Sequence, residues 1–168
     1  MTANKRTLTP GELALARKAF PASFPFARVT MVSGAYGNPA AMAAFRNGNT
    51  AITLGRTIYF RPDKYRPELA AGSADEQDLL IHELTHIWQY ARLGMPRFFA
   101  IYAGNFLGCG MNAGKMYDYK SDPRPFAQLR LEAQAQMVGN YASALARDDA
   151  TTRQALAARL KETGFFGL

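Results

Sequence analysis

The chain has 168 residues, 48% of them hydrophobic and 20% charged, so it can bury one ordinary core and is short for two. Its single cysteine, Cys109, excludes an intrachain disulfide, and no apolar run reaches the length that a membrane-spanning helix needs. The net charge of +7 would suit an anionic partner, but the Lys and Arg residues are scattered along the sequence, which argues against nucleic acid.

These properties predict one soluble domain over residues 1–168. Near the N-terminus, Lys5 and Arg6 precede a stretch of mixed polar and charged residues, so the apolar centre of a cleavable secretion signal is missing. We therefore expect the protein to be cytoplasmic, or to be exported by a dedicated secretion system without a cleavable signal.

The first elements in chain order are a short helix and a strand. Thr9 is followed by Pro10 and, three residues after Thr9, by Glu12, which is typical of a helix start. Residues 26–32 contain several β-branched side chains and predict a strand, whereas residues 40–45 are ambiguous.

Two short β-rich runs come next. Residues 50–54 and 57–60 are separated by Gly55 and Arg56, which indicates a hairpin or one bulged strand. A strand beside a metal-binding helix can pair with the backbone of an extended peptide substrate, although an ordinary strand pairs only within its own sheet.

The only two histidines, His82 and His86, lie four residues apart, and Glu83 directly follows the first. On an α-helix this spacing places both rings on one face, where they can share one ion while Glu83 projects beside it. The pattern is typical of zinc hydrolases in which the glutamate takes a proton from a metal-bound water. The alternative is a pair of partly buried histidines, but chance would produce this pattern only about once in a thousand such sequences.

The helix that carries this motif has clear predicted ends. Ser73 and Glu76 form a capping-box pattern at its start, and Gly94 with Pro96 closes it. Asp78, one turn before His82, is a candidate partner for the ring nitrogen that does not bind metal, or else a solvated aspartate near the helix start.

Residues 95–120 are rich in aromatic residues and glycine, which favours a buried loop or irregular helix over a lid of the site. Tyr117 and Tyr119 are candidate donors to a developing oxyanion, and Tyr119 is the predicted catalytic one. Residues 126–146 then predict a long helix, and residues 149–162 approximately a last one.

A catalytic zinc takes three protein ligands, so the histidine pair needs one more. The candidates are Cys109 and the carboxylates at positions 118, 122, 132, 148, 149 and 162. Glu132 is preferred because small residues follow it on the same predicted helix and would allow close approach to the histidine helix. The alternatives are an exposed Glu132 and a Cys109 that acts as a small buried hydrophobe. Gln136, one turn after Glu132, could hydrogen-bond a ligand.

Three segments together resemble the small zincin-like domains of bacterial proteins linked to contractile injection systems and to type VI spike-associated, Vgr-related proteins. They are residues 55–60, residues 81–89 and residues 131–135, and the resemblance extends over about residues 50–140. It implies a gluzincin-like site in which a glutamate from a later helix, here Glu132, completes the zinc ligands. The sequence departs from the thermolysin-like pattern in having Gln136 where that pattern has an aspartate, and in its long interval between His86 and Glu132.

The expected fold is therefore α+β and zincin-like, with a small antiparallel sheet on the histidine helix and a helical C-terminal half. The expected function is that of a zinc-dependent metallopeptidase, with Zn²⁺ held by His82, His86 and Glu132, with Glu83 as general base, and with a peptide or protein as substrate. The alternative is a non-catalytic zincin-shaped module that docks onto a secretion spike or toxin partner. A nucleic-acid-binding domain, the third option, would show a steep dependence of affinity on salt.

Overall fold

The structure is a computed structural model that describes residues 5–168, so residues 1–4 of the predicted domain lie outside the described part. Four strands are present in it: β1 (Lys5–Arg6), β2 (Thr30–Ser33), β3 (Ala51–Leu54) and β4 (Thr57–Phe60). The α-helices of the described residues are α1 (Pro10–Ala19), α2 (Pro39–Arg46), α3 (Ala74–Leu93), α4 (Met95–Gly108), α5 (Ala113–Met116), α6 (Leu131–Ala146) and α7 (Ala150–Leu160). Short 3-10 turns occur at Phe26–Arg28, Phe126–Gln128 and Phe165–Gly167. The fold is α+β, as predicted.

The sheet is mixed, so the prediction of an antiparallel sheet is wrong for one of its strand pairs. The strand order is β1-β2-β4-β3, with β1 antiparallel to β2 and β3 antiparallel to β4, but β2 runs parallel to β4. Helix α2, which the sequence left ambiguous, separates β2 from β3 along the chain. The hairpin at Gly55 and Arg56 then places β4 between β2 and β3, so that β3 becomes an edge strand.

The two predicted capping boxes are confirmed, and they set where α1 and α3 begin. The Ser73 hydroxyl accepts a hydrogen bond from the Glu76 N–H, and the Glu76 carboxylate accepts one from the Ser73 N–H at 2.8 Å. Helix α3 ends at Leu93, and the next residue, Gly94, has a φ of +74°, which residues with a Cβ rarely adopt. Thr9 and Glu12 make the equivalent pair of bonds at α1.

The core forms where α3 packs between the sheet and α6. Leu80, Leu84 and Ile87 of α3 are fully buried, as is Met137 of α6. Gly139 allows the two helices to approach closely, because a Cβ at this position would lie 2.3 Å from Asp78 Oδ1 and 3.0 Å from the Asp78 carbonyl oxygen. The histidine face of α3 therefore points into the space between β3 and the start of α6.

Some predicted elements have different boundaries in the structure. Residues 26–32 begin with a 3-10 turn before β2, and residues 126–130 form a 3-10 turn and an extended link before α6. Residues 95–120, predicted as a buried loop or irregular helix, contain the helices α4 and α5, but much of their surface is exposed. Among the helices in residues 5–168, none is long and apolar enough to cross a membrane.

Candidate metal centre

Three buried side chains meet at one point between α3 and α6. His82 and His86 lie one turn apart on α3, and their Nε2 atoms are 3.2 Å from each other. Glu132, in the first turn of α6, places its Oε2 atom 3.2 Å from both of these nitrogens. The exposed fraction of each residue is only 6–7%. The three predicted ligands therefore come together although Glu132 is distant from both histidines in sequence.

The donor atoms of this triangle fit a divalent metal such as zinc. Two ligands that each lie 2.0–2.1 Å from a tetrahedral zinc ion are about 3.3 Å apart, close to the 3.2 Å edges observed here. Two imidazole nitrogens and one carboxylate oxygen also form a ligand set that zinc uses in catalytic sites. His82, His86 and Glu132 can therefore hold one ion without rearrangement.

The electrostatics of the cluster favour a positive charge at its centre. Burial disfavours the charged form of the His86 ring, but the adjacent Glu132 carboxylate more than offsets this and raises the pKa of His86 to about 9. Burial likewise favours a neutral Glu132, but the two imidazoles hold the pKa of this carboxyl well below its usual range. In the metal-free protein the positive charge is a proton on the histidine pair, and a bound cation would replace this proton.

Gln89 fixes the orientation of His86. Its Nε2 atom donates to the Leu131 carbonyl at 2.9 Å and to Gln134 Oε1 at 3.0 Å, which turns Oε1 towards His86 Nδ1 at 2.8 Å. Nδ1 of His86 must therefore carry a hydrogen, because Gln89 Oε1 can only accept. This leaves Nε2 of His86 as the atom that faces Glu132 and can bind metal.

A second amide extends this arrangement into the segment before α6. Gln134 donates to the Phe126 carbonyl at 2.9 Å and to the Leu129 carbonyl at 3.3 Å, while its Oε1 accepts from Gln89. Both glutamines are buried. The position of His86 thus depends on the fold of residues 126–131 as well as on α3.

Replacing Gln89 with Leu will weaken zinc binding by about 10- to 100-fold, because His86 loses the acceptor that fixes its ring. The measurement is competition for zinc with a chromogenic chelator, on protein whose folding is checked by thermal unfolding. Gln154→Leu, at an exposed position of α7, is the matched control and should bind zinc like the parent. Equal zinc affinity of the Gln89 variant and the parent would show that this amide does not orient the ligand.

Glu83 lies beside the metal centre and is held by the sheet. Its carboxylate oxygen Oε2 accepts a 2.7 Å hydrogen bond from the Thr53 hydroxyl on β3, and only 5% of the residue is exposed. A carboxylate held next to the ligand cluster, with a second lone pair still available, is placed to accept and return a proton. The contact with Thr53 had no signal in the sequence, because it joins a strand to a distant helix.

Two aromatic residues pack against the histidine rings, and Tyr102 lies beside them in the same part of the cleft. Tyr117 stacks on His82, with ring centroids 5.9 Å apart and an angle of 25° between the planes, and Phe98 meets His86 edge-on at 6.0 Å. Burial and the Glu132 carboxylate raise the pKa of Tyr117 above its ordinary value and that of Tyr102 to about 12. Both phenols therefore stay protonated near neutral pH and can donate a hydrogen bond.

Tyr119, predicted as the catalytic tyrosine, lies elsewhere. Its ring is in the hydrophobic core, and its hydroxyl accepts a 2.7 Å hydrogen bond from Asn140 Nδ2. Tyr117 directly follows α5 and still has helical φ and ψ angles, and it is the tyrosine that reaches the site. Which of them faced His82 depended on the path of the chain after α5.

Two other polar residues differ from what the sequence suggested. Asp78 packs against Gly139, and burial raises the pKa of its carboxyl to about 6, but among the described hydrogen bonds none joins it to His82. Gln136 donates to Asn140 Oδ1 rather than to a ligand. Cys109 is buried at the end of α4, as expected for a small hydrophobe.

The cleft at the metal centre has two sides of different chemistry. The larger side, of about 680 Å³, has polar and charged walls that include Lys64, Arg66 and Asp78. The smaller side, of about 140 Å³, has the aromatic walls Phe98 and Tyr102. Strand β3, His82 and Glu83 border both sides, so an extended chain that lay along β3 would contact the two sides in turn.

The structure thus defines an α+β domain with a buried two-histidine, one-glutamate centre at the border of a cleft. Residues 12–94, slightly under half of the chain, match the family described as eCIS core domain. The fold is similar to the solved structure of the effector domain of Pseudomonas aeruginosa VgrG2b, with a TM-score of 0.67 and 22% sequence identity over 92% of this chain and 81% of that one. No curated protein matches the chain. The family match concerns residues 12–94 alone, and the structural match shows a similar fold.

Proposed function

We propose that the protein is an effector-type domain of a contractile-injection or Vgr-related system and that it hydrolyses peptide bonds with a zinc ion held by His82, His86 and Glu132. One observation carries the catalytic part of this proposal: the three ligand atoms form a triangle with 3.2 Å edges, and Glu83 lies next to it in the same cleft. A purely structural metal site has no need of a buried carboxylate beside its ligands.

The chain's own residues supply the remaining chemistry. A zinc ion in this position would polarise the scissile carbonyl and lower the pKa of a coordinated water. Glu83 would accept the proton of the attacking water and pass it to the leaving amine, while the Thr53 hydroxyl holds the carboxylate in place. The Tyr117 phenol, which remains protonated and stacks on His82, is the candidate to donate to the developing oxyanion.

Strand β3 supports a peptide as the substrate. The Thr50 carbonyl accepts a hydrogen bond from the Arg61 N–H, so Thr50 pairs at the end of the neighbouring strand β4. In an antiparallel pair every second residue bonds the partner strand, and the backbone groups of Ala51 and Thr53 therefore face the outer edge of the sheet. The Thr53 carbonyl accepts from the Tyr90 hydroxyl at 3.3 Å. The other edge groups can pair with the backbone of an extended peptide that lies beside Glu83.

Removal of the metal tests this proposal. Protein stripped with a chelator should lose hydrolysis of an unfolded substrate such as casein, and one equivalent of zinc should restore it, because His82, His86 and Glu132 alone do not activate water. Substrate cleavage is followed by the release of fluorescence from labelled casein. Activity that survives complete removal of metal, verified by elemental analysis, would contradict a zinc mechanism.

The second candidate is a non-catalytic interaction module of the injection apparatus. The family match and the likeness of fold favour this reading more directly than they favour hydrolysis, because they concern the type of domain and not a reaction. In that case the bound metal would be structural, its fourth coordination position would be closed, and a spike component would be the partner. Stoichiometric zinc together with no cleavage of any unfolded substrate would support it.

A further inference from the structure

We infer that a groove beside the C-terminal end of α3 binds an acidic peptide segment of a partner protein. The groove has a volume of about 770 Å³ and is formed by the end of α3, the start of α4, residues 123–131 with Gln134, and the end of α7. We call it the basic groove. Its walls share no residue with either side of the cleft at the metal centre, so the inference does not rest on the proposed function.

The charge of the basic groove is strongly one-sided. It is lined by five cationic residues and one carboxylate: Arg92, Arg97, Arg124, Arg159 and Lys161 against Glu162. Within the described residues, the only one of these cations in an ion pair is Arg124, which bonds Asp122 at 2.6 Å. The net positive charge therefore remains available to an anionic ligand.

Two of the unpaired cations are held in place by neutral groups. Arg159 donates to the carbonyls of Tyr119 and Asp122 at 2.7 and 2.8 Å, and Arg92 lies 4.7 Å from the centre of the Trp88 ring. Such contacts order a guanidinium without neutralising it. A carboxylate that enters the groove would thus meet preorganised donors and lose little entropy in binding them.

The floor of the basic groove is apolar and favours a peptide over a nucleic acid. Leu93, Ile101 and Leu129 line it and can accept aliphatic side chains. Stacking of bases needs an exposed aromatic face, but Arg92 already covers Trp88, and Phe126 is buried against Phe165. A segment that combines acidic and aliphatic residues therefore matches both the cations and the floor of this groove.

Charge reversal at two exposed positions of the groove tests the inference. The probe is a short fluorescent peptide of glutamate, leucine and serine, and its affinity for the full chain is measured by anisotropy. The double variant Arg97→Glu with Lys161→Glu should bind it at least about tenfold more weakly than the parent. The matched control is Arg17→Glu with Lys18→Glu on the exposed side of α1, which changes the net charge equally and should bind like the parent.

Several results would overturn the inference. The inference fails if the parent does not bind the acidic peptide at all, or if the groove variant and the control variant weaken its binding equally. It also fails if a peptide with glutamine in place of glutamate binds the parent as tightly as the acidic peptide. Fluorescent oligothymidylate and phosphatidylserine vesicles are tested as competing ligands. If one of them binds the parent more tightly than the peptide does, and the groove variant loses that binding, the groove belongs to that ligand instead. Thermal unfolding of each variant confirms that it is folded, and the casein assay on the groove variant shows that the metal centre is unaffected.

Discussion

Replacing Glu83 with Gln is expected to lower the rate of peptide hydrolysis by a factor of about 10² to 10⁴, which is the usual contribution of a general base. Glutamine keeps the oxygen that accepts the Thr53 hydrogen bond, so the side chain should stay in place. It cannot accept a proton from water, however. Because Glu83 is not one of the three atoms of the ligand triangle, zinc should remain bound at one equivalent, as measured by elemental analysis.

The control for this change is Asp148→Asn, which also converts a carboxylate into an amide but lies at an exposed turn between α6 and α7. It should cleave casein at the parental rate. If the Glu83 variant also does so, Glu83 is not the base. If it instead loses zinc, the residue acts mainly on the structure of the site.

The second large effect is expected for Glu132→Gln, which removes the only carboxylate of the ligand triangle. Zinc affinity should fall by more than about 100-fold, because loss of a direct ligand exceeds the effect of losing an outer partner. Turnover at limiting zinc should fall with it. Competition with a chromogenic chelator measures the affinity, and Asp148→Asn again serves as the control.

The same variant has a readout without metal. Glu132 is the main cause of the raised pKa of His86, so without its charge the burial of His86 should lower that pKa. The chain has only two histidines, which makes their NMR titration simple to assign. In the metal-free parent, the raised pKa of His86 stabilises the folded state. This stabilisation is complete below pH 6.5, the pKa of the ring in the unfolded chain, and is lost as the pH rises to about 9.

The difference in unfolding free energy between parent and Glu132→Gln should therefore shrink as the pH rises from 6.5 to 9. An unchanged His86 pKa in the variant would show that Glu132 does not face the ring in solution. That result would also remove the ligand triangle, and with it the basis for a metal centre.

Local features of the sequence were sufficient for the histidine helix. Capping residues act on the backbone within one turn, and the spacing of His82 and His86 places both rings on one face whatever the rest of the chain does. For the same reason the break at Gly55 and Arg56 was predictable, although the sequence left open whether it was a hairpin or a bulge in one strand. The sequence also indicated Glu132 as the third ligand, by elimination, by the small residues that follow it and by the resemblance to gluzincin-like domains.

Predictions that depended on the relation between distant segments were less successful. The sheet was expected to be antiparallel, because strand propensity does not reveal that α2 would bring β4 parallel to β2. Tyr119 was preferred over Tyr117, since residues two apart look alike in sequence until the path of the chain after α5 is known. The segment that forms α4 was expected to be a buried loop or irregular helix, because its aromatic residues suggested burial, but most of this helix is exposed.

The amino-acid sequence alone therefore determined the histidine pair, the adjacent Glu83 and the helix that presents them, because these depend on interactions within a few residues. Only the tertiary structure decided that Gly139 lets α6 approach α3, that Glu132 then faces both rings, and that Gln89 orients His86. Those contacts join residues far apart in the chain. Their geometry follows from how complete helices pack, which no local pattern specifies.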